Sequence, residues 1–262
     1  MSTYSSLILA ETSLIAYYRL NEAMGKLAHD QSANKYHGTI NNNNGQLVGV
    51  TLQQQNAIIS DPLDYAMLFN GTNGYITLPS GLKTDGLSAL SVEFWVNRSS
   101  NSSSFMFVLS NDNNPTSSHL GFRVILSLPS DASIGYFEMG NGTIGASRRI
   151  GSSNLSVFYG NVVIGSWYHI VCVYDGTQLL AYVNGILDQN SNPALTGTIG
   201  TATHPLYIGA SPSLASNFPG LIDEVAIYNA ALSASDVLAH YQAGTYGQSG
   251  MALFPSTSRR QS

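Results

Sequence analysis

The sequence is poor in the features that most often announce a function. Its single cysteine, Cys172, leaves no partner for an intrachain disulfide, and its place in the apolar run 168–174 reads as a small buried hydrophobe. Charged residues make up 10% of the 262, where about a quarter is usual, and Asn, Ser, Thr and Gly take their place. The formal net charge of −5 comes without a Lys or Arg cluster, which excludes an electrostatic footprint for nucleic acid or an anionic membrane. No apolar run approaches the roughly 20 residues of a spanning helix, so membrane insertion is not expected. The opening MSTYSSLILAETSLIAYYRL lacks a basic start, and Glu11, Thr12 and Ser13 interrupt its apolar run, unlike a secretory signal. The expected product starts in a cytoplasm and is stabilised by packing, with a metal as the remaining supplement.

What is present is β-structure. Asn-Gly occurs at 44–45, 70–71, 73–74, 141–142 and 184–185, and Asp-Gly at 85–86 and 175–176. These dipeptides tolerate positive φ, and their spread predicts many short antiparallel strands. Strands are predicted over 14–20, 66–69, 75–78, 91–96, 105–109, 120–126, 134–139, 155–158 and 205–208. A three-stranded meander covers 167–174, 178–183 and 186–188. Phe69, Val92, Phe94, Ile170 and Val183 are the expected core. Polar tips at 99–104 and 111–118 are either solvated turns or binding loops on a rigid sandwich.

The stretch 219–244, PGLIDEVAIYNAALSASDVLAHYQAG, combines a half-buried strand with the one clear amphipathic helix. By the two-residue period, Leu221, Asp223, Val225 and Ile227 share one face while Glu224 lies on the other. Asp223 thus falls among aliphatic side chains and needs a cation, a guanidinium or several backbone N–H groups. Ser233 and Asp236 form a capping pair, Ala234, Val237, Leu238 and Tyr241 form the apolar stripe, and Gly244 is the expected stop. Residues 245–262 should be extended, and residues 4–9 form either one helical turn or a pairing arm.

Chemistry-bearing constellations are sparse. Glu22, His29 and Asp30 crowd the loop 21–34, where hard-cation binding is conceivable but a solvated loop has the same composition. Glu93 is in phase with Trp95, as a sugar-stacking surface or a plain sheet-surface pair; His169, in phase with Trp167 and Val171, reads as structural. No strand presents two carboxylates on one face for glycoside hydrolysis, so an enzyme is not expected.

One ordered set of motifs is specific. The set comprises YYRLNE at 17–22, Asp30, HGT at 37–39, MLFNG at 67–71 with Tyr75, SVEFWV at 91–96 and WYH at 167–169. It continues with YDG at 174–176, YVNG at 182–185, Ile208-Gly209 and GLIDEV at 220–225. Over 15–244 it resembles the laminin G-like jelly rolls of the concanavalin A-like lectin and glucanase superfamily. The resemblance implies an all-β, two-sheet antiparallel jelly-roll sandwich with one short C-terminal helix. Its domain would cover 14–244, between an arm at 1–13 and a tail at 245–262. It also implies a structural calcium held by Glu22 or Asp30 with Asp223, and by backbone carbonyls near Asn70 and Gly71; Arg19 competes as the partner of Asp223. Asn stands at 70 and 184 where relatives commonly have Asp, which should weaken affinity. The opening 4–25 resembles phage-encoded members. It implies a non-catalytic virion protein, a decoration or attachment module bound to capsid or tail proteins, homo-oligomeric, with glycan contact as an extra. The alternative is an extracellular carbohydrate-binding lectin module.

Overall fold

The computed structural model describes residues 3–100, 105–126, 135–150, 163–190 and 192–251. Two eight-stranded antiparallel sheets form the expected jelly-roll sandwich. The first runs in the order Ile186–Leu187, Leu179–Val183, Trp167–Tyr174, Leu90–Arg98, Pro219–Tyr228, Ala66–Asn70 and Val50–Gln54. Leu14–Tyr18 also joins it, pairing with the later half of Pro219–Tyr228. The second runs Gly145–Ile150, Gly135–Gly140, Phe122–Ile125, Phe107–Ser110, Tyr207–Ile208, Ile76–Thr77, Gly38–Ile40 and Leu27–Ala28. The predicted strand at 155–158 lies outside the described residues.

Alternation explains the inner faces. Val92, Phe94 and Val96 of one strand meet Ile170 and Cys172 of the next, and all enter the core between the sheets with Phe69 and Val183. Burying one such Val, Leu or Phe side chain is worth about 1.5–3 kcal/mol. The strand Gly145–Ile150 had no apolar alternation to betray it. Its Arg148 is fully buried and donates through Nη2 to the Asp188 carbonyl (2.9 Å) and to Asp188 Oδ1 (3.2 Å).

The outer face of the first sheet is sealed. Two helices, Thr3–Ala10 and Ala234–Met251, pack on it and on each other, over a second apolar cluster that includes Tyr4, Ile8, Tyr17, Trp95, Val171 and Val237. The N-terminal stretch is therefore a helix with Tyr4 and Ile8 turned inward. A further short helix, Pro115–Ser118, lies at the other sheet.

The C-terminal helix starts as expected. Asp236 N–H donates to Ser233 Oγ, and Ser233 N–H to Asp236 Oδ2, both at 3.2 Å. It does not stop at Gly244 but continues to Met251. Gly244 serves close approach instead: a Cβ there would lie 2.6 Å from the Trp95 ring and 3.2 Å from Ile58 Cδ1.

The sealed face is pinned by Glu93, which sits fully buried beneath the helices rather than on a sheet surface. Its Oε1 accepts from Tyr4 Oη (2.9 Å) and His169 Nε2 (2.7 Å), and its Oε2 from Tyr228 Oη (2.8 Å) and His240 Nδ1 (3.0 Å). Both helices and two strands thus converge on one carboxylate. Burial alone pushes that carboxyl up, but the His240 charge and the bonds from His169 and His240 outweigh it and hold the group well below its ordinary range. Burial pulls His240 down, while Glu93 and then Glu11 raise it above its ordinary 6.5.

Two outcomes are expected. His240 binds its proton more tightly folded than unfolded, so its contribution is complete below pH 6.5 and fades as pH rises through the raised value. The Glu93 contribution is complete above pH 4.5 and fades as pH falls toward the depressed value. Glu93→Gln should cost about 3–5 kcal/mol. Its melting-temperature deficit should be widest between pH 4.5 and 6.5, and a deficit independent of pH would rule out the ion pair. Gly244→Ala should destabilise by about 1–2 kcal/mol in urea unfolding, because overpacking against Trp95 exceeds the roughly 1 kcal/mol gained in helix propensity.

Candidate functional site

Two constellations carry chemistry: a carboxylate cluster under the sealed face, and the outer face of the second sheet. The first arises from a β-bulge. Along the pairing of Pro219–Tyr228 with Leu90–Arg98, Asp223 faces Trp95 and Ala226 faces Glu93, so the first strand carries one extra residue. Glu224 absorbs it at φ 53°. The side-chain phase switches there: Ile222, Val225 and Ile227 enter the inter-sheet core, while Ala226 and Tyr228 join the cluster under the helices. Strict alternation had placed Asp223 and Glu224 on opposite faces and left Glu224 a surface charge. Both are fully buried, and their carboxylates converge with that of Asp64 to within 4.8 Å of one another.

Arg19 is the cation the cluster contains. Its Nη2 reaches Asp61 Oδ2 (3.0 Å) and Asp64 Oδ1 (2.6 Å), and its Nε reaches Glu224 Oε1 (3.3 Å). Tyr17 Oη donates to Glu224 Oε2. Asp223 Oδ2 accepts the Ala57 N–H at 2.9 Å. Asp223 Oδ1 and Asp64 Oδ2 are buried without a hydrogen-bond partner. Burial, then repulsion from Asp64 and Glu224, raises the Asp223 carboxyl well above its ordinary range. Burial, followed by Asp64, does the same to Glu224. Asp64 is pushed up to about 6, mainly by burial and against the pull of Arg19. Arg19 thus pairs directly with Asp61, Asp64 and Glu224, while Asp223 feels its charge without contacting it.

The other residues expected to hold calcium lie elsewhere, each with its own partners. Both Asp30 oxygens are occupied, Oδ1 by the N–H groups of Tyr17 (2.9 Å) and Ser32 (2.8 Å), Oδ2 by the Tyr36 N–H (2.7 Å) and the Ser32 hydroxyl (2.8 Å). Glu22 Oε1 accepts from His29 N–H at 2.7 Å, while its Oε2 is buried without a hydrogen-bond partner. Asn70 Oδ1 accepts the N–H groups of Thr72, Asn73 and Gly74 in a tight turn. Gly71 packs against Pro219 at φ 73°. Of the residues assigned through the resemblance, only Asp223 enters the acidic group. The donor set there fits a hard cation by its carboxylate chemistry and its two unpartnered oxygens. Asp64 lies in a segment without periodicity, where the one local signal is an Asp on either side of Pro62.

On the second sheet the register lines up one outward row across all eight strands: Leu27, Thr39, Thr77, Tyr207, Ser110, Arg123, Glu138 and Ser147. Arg123 Nε bonds Glu138 Oε2 at 2.5 Å, and Ser147 Oγ donates to Glu138 Oε1 at 3.0 Å. The guanidinium also donates to the Asn113 carbonyl and lies 5.4 and 5.7 Å from the ring centres of Phe107 and Phe105. Beside it opens a hollow of about 300 Å³, lined by Phe105, Asn113, Asn114, Ser211, Ser213 and Ser216 together with Arg123 and Phe107. The polar tip 111–118 thus contributes its wall. A second hollow, about 220 Å³, lies among Lys83, Thr84, Asp85, Asn111, Thr203 and His204. No helix among the described residues is long and apolar enough to cross a membrane.

Comparison with solved structures returns this sandwich repeatedly. Domain 4 of AbnA, a GH43 extracellular arabinanase of Geobacillus stearothermophilus, in complex with arabinotriose, has a TM-score of 0.60 at 21% identity over 88% of this chain and 98% of that one. The binding domain of Paraclostridial Mosquitocidal Protein 1 has a TM-score of 0.61 at 15% identity, over 88% of this chain and 52% of that one. Trypanosoma rangeli sialidase has a TM-score of 0.58 at 14% identity over 90% of this chain and 33% of the enzyme. The chain therefore spans about half of the toxin binding domain and a third of the sialidase, and the likeness is one of fold. No curated protein sequence matches the chain. A family model described as the concanavalin A-like lectin/glucanases superfamily matches residues 70–238, well over half of the sequence. The chain belongs to this laminin G-like family of the concanavalin A-like lectin/glucanases superfamily.

Proposed function

We propose that the chain is a non-catalytic carbohydrate-binding module acting outside the cell. The observation that carries this reading is the hollow on the second sheet, where Phe105, 36% exposed, stands beside Asn and Ser side chains and a fixed Arg123–Glu138 pair. An aromatic face with a few placed polar groups suits a sugar, which has an apolar ring face and a rim of hydroxyls. The arabinanase domain crystallised with arabinotriose and the toxin binding domain support the class. The carboxylates that could invite a hydrolytic reading, Glu93 and the Asp223–Glu224 pair, are buried and line neither hollow.

The narrower reading, a decoration or attachment module on a phage particle bound to capsid or tail proteins, rests on the resemblance of the opening stretch. Tyr4 and Ile8 are fully buried, so those side chains are committed within the chain. The relatives named above favour the binding module over the particle. On a glycan array the protein should bind at least one oligosaccharide class, and Phe105→Ala should weaken that binding by about 10-fold, which corresponds to about 1.4 kcal/mol. An array blank with and without calcium would overturn the proposal.

A divalent cation at Asp64, Asp223 and Glu224, with calcium as the first ion to test, is supported by the two unpartnered oxygens. When bound it would supply a second positive charge beside Arg19. Calcium at about 100 times its dissociation constant should then raise stability by about 2.7 kcal/mol, or about 5–10 °C in melting temperature. EDTA should reverse the gain, and Asp223→Asn should abolish it. A melting temperature unmoved by calcium and EDTA would exclude the site.

A further inference from the structure

The charge balance of the hollow on the second sheet narrows what it can hold, granted that it is the sugar site proposed above. Arg123 is the one ionisable group among its eight lining residues, and its charge is already matched by Glu138. Both side chains are about nine-tenths buried, 9% and 10% exposed. The guanidinium cannot swing out to meet a ligand anion: Glu138 holds its Nε, the Asn113 carbonyl holds Nη1, and two phenyl rings flank it. An anionic sugar would compete with Glu138 for one immobilised cation and would bring a second negative charge into a poorly solvated place. The groups that remain for recognition are neutral. Asn113 and Asn114 use their Oδ1 atoms locally, accepting from Ser213 N–H (3.2 Å) and Thr116 Oγ1 (2.8 Å). Both Asn residues are exposed, and Asn113 is tied to the turn in which the Ser211 and Ser213 hydroxyls lie 3.1 Å apart. Phe105 stands edge-on to Phe107, with ring centres 6.4 Å apart, and is 36% exposed.

We infer that this hollow selects an uncharged sugar, a neutral pentose or hexose residue lying on Phe105 with its hydroxyls held by Asn113, Asn114 and Ser213, and that it rejects carboxylated or sulfated sugars.

The test is titration calorimetry on the full chain with two sets of oligosaccharides. One set is neutral: arabino-, xylo-, manno- and gluco-oligosaccharides. The other is anionic: oligogalacturonate, sialyllactose and a sulfated galactan fragment. Binding is expected for the neutral set only, with less than a 2-fold change between 50 and 500 mM NaCl, because no net charge meets the ligand. Phe105→Ala and Asn113→Ala should each weaken it by about 10-fold or more. Both positions lie on the surface, and an unchanged melting temperature establishes that these variants fold. Tight, salt-sensitive binding of the anionic set would overturn the selectivity while leaving the carbohydrate reading intact. Neutral binding unaffected by either variant would overturn the placement in this hollow. Failure of every oligosaccharide would overturn the carbohydrate reading itself.

Discussion

A single buried carboxylate organises this protein. Glu93 can sit in an apolar layer because four donors reach it, and those donors come from the first helix, the last helix and two strands of the first sheet. An uncompensated charge there would cost several kcal/mol, so the four elements must meet if the carboxylate is to remain ionised. The chain ends are thereby drawn onto the sheet. With that face closed, the hollow proposed to bind sugar lies on the opposite sheet.

The carboxylate cluster beside it follows a different electrostatic logic. Glu93 is satisfied and its carboxyl is held low, whereas Asp64, Asp223 and Glu224 outnumber Arg19 and their carboxyls are driven up. Glu93 and the Asp223–Glu224 pair are buried carboxylates on neighbouring strands of the first sheet, yet Glu93 is closed by its donors and the cluster has more acids than its one guanidinium contacts. The bulge at Glu224 makes the difference by turning two consecutive acids to one side of the sheet. A cation there would tie the loop before Ala66–Asn70 to the long closing strand, a stabilising role at a distance from the hollow where sugar is proposed to bind.

Much of the sandwich was legible in the residues. Alternation in 91–96 and 167–174, the Asn-Gly and Asp-Gly turns, and the Ser233–Asp236 cap each produced the element they predict. His169 read correctly as structural. The errors came where a local rule met a tertiary demand. Gly244 has the form of a helix stop but is there because Trp95 leaves no space for a Cβ. The strand Gly145–Ile150 carries no local signal, because its buried Arg148 finds its ion-pair partner, Asp188, forty residues away in the chain.

By itself the sequence determined the all-β class, most strand positions, the inner core and the need of Asp223 for a partner, because these depend on side-chain period and the cost of burying charge. Only the tertiary structure decided that Glu224 joins Asp223, that Asp64 completes the group, that Glu93 lies under helices and that a sugar-sized hollow opens beside Arg123. Each of these depends on a register shift or on contacts between distant segments, and neither leaves a mark in local periodicity.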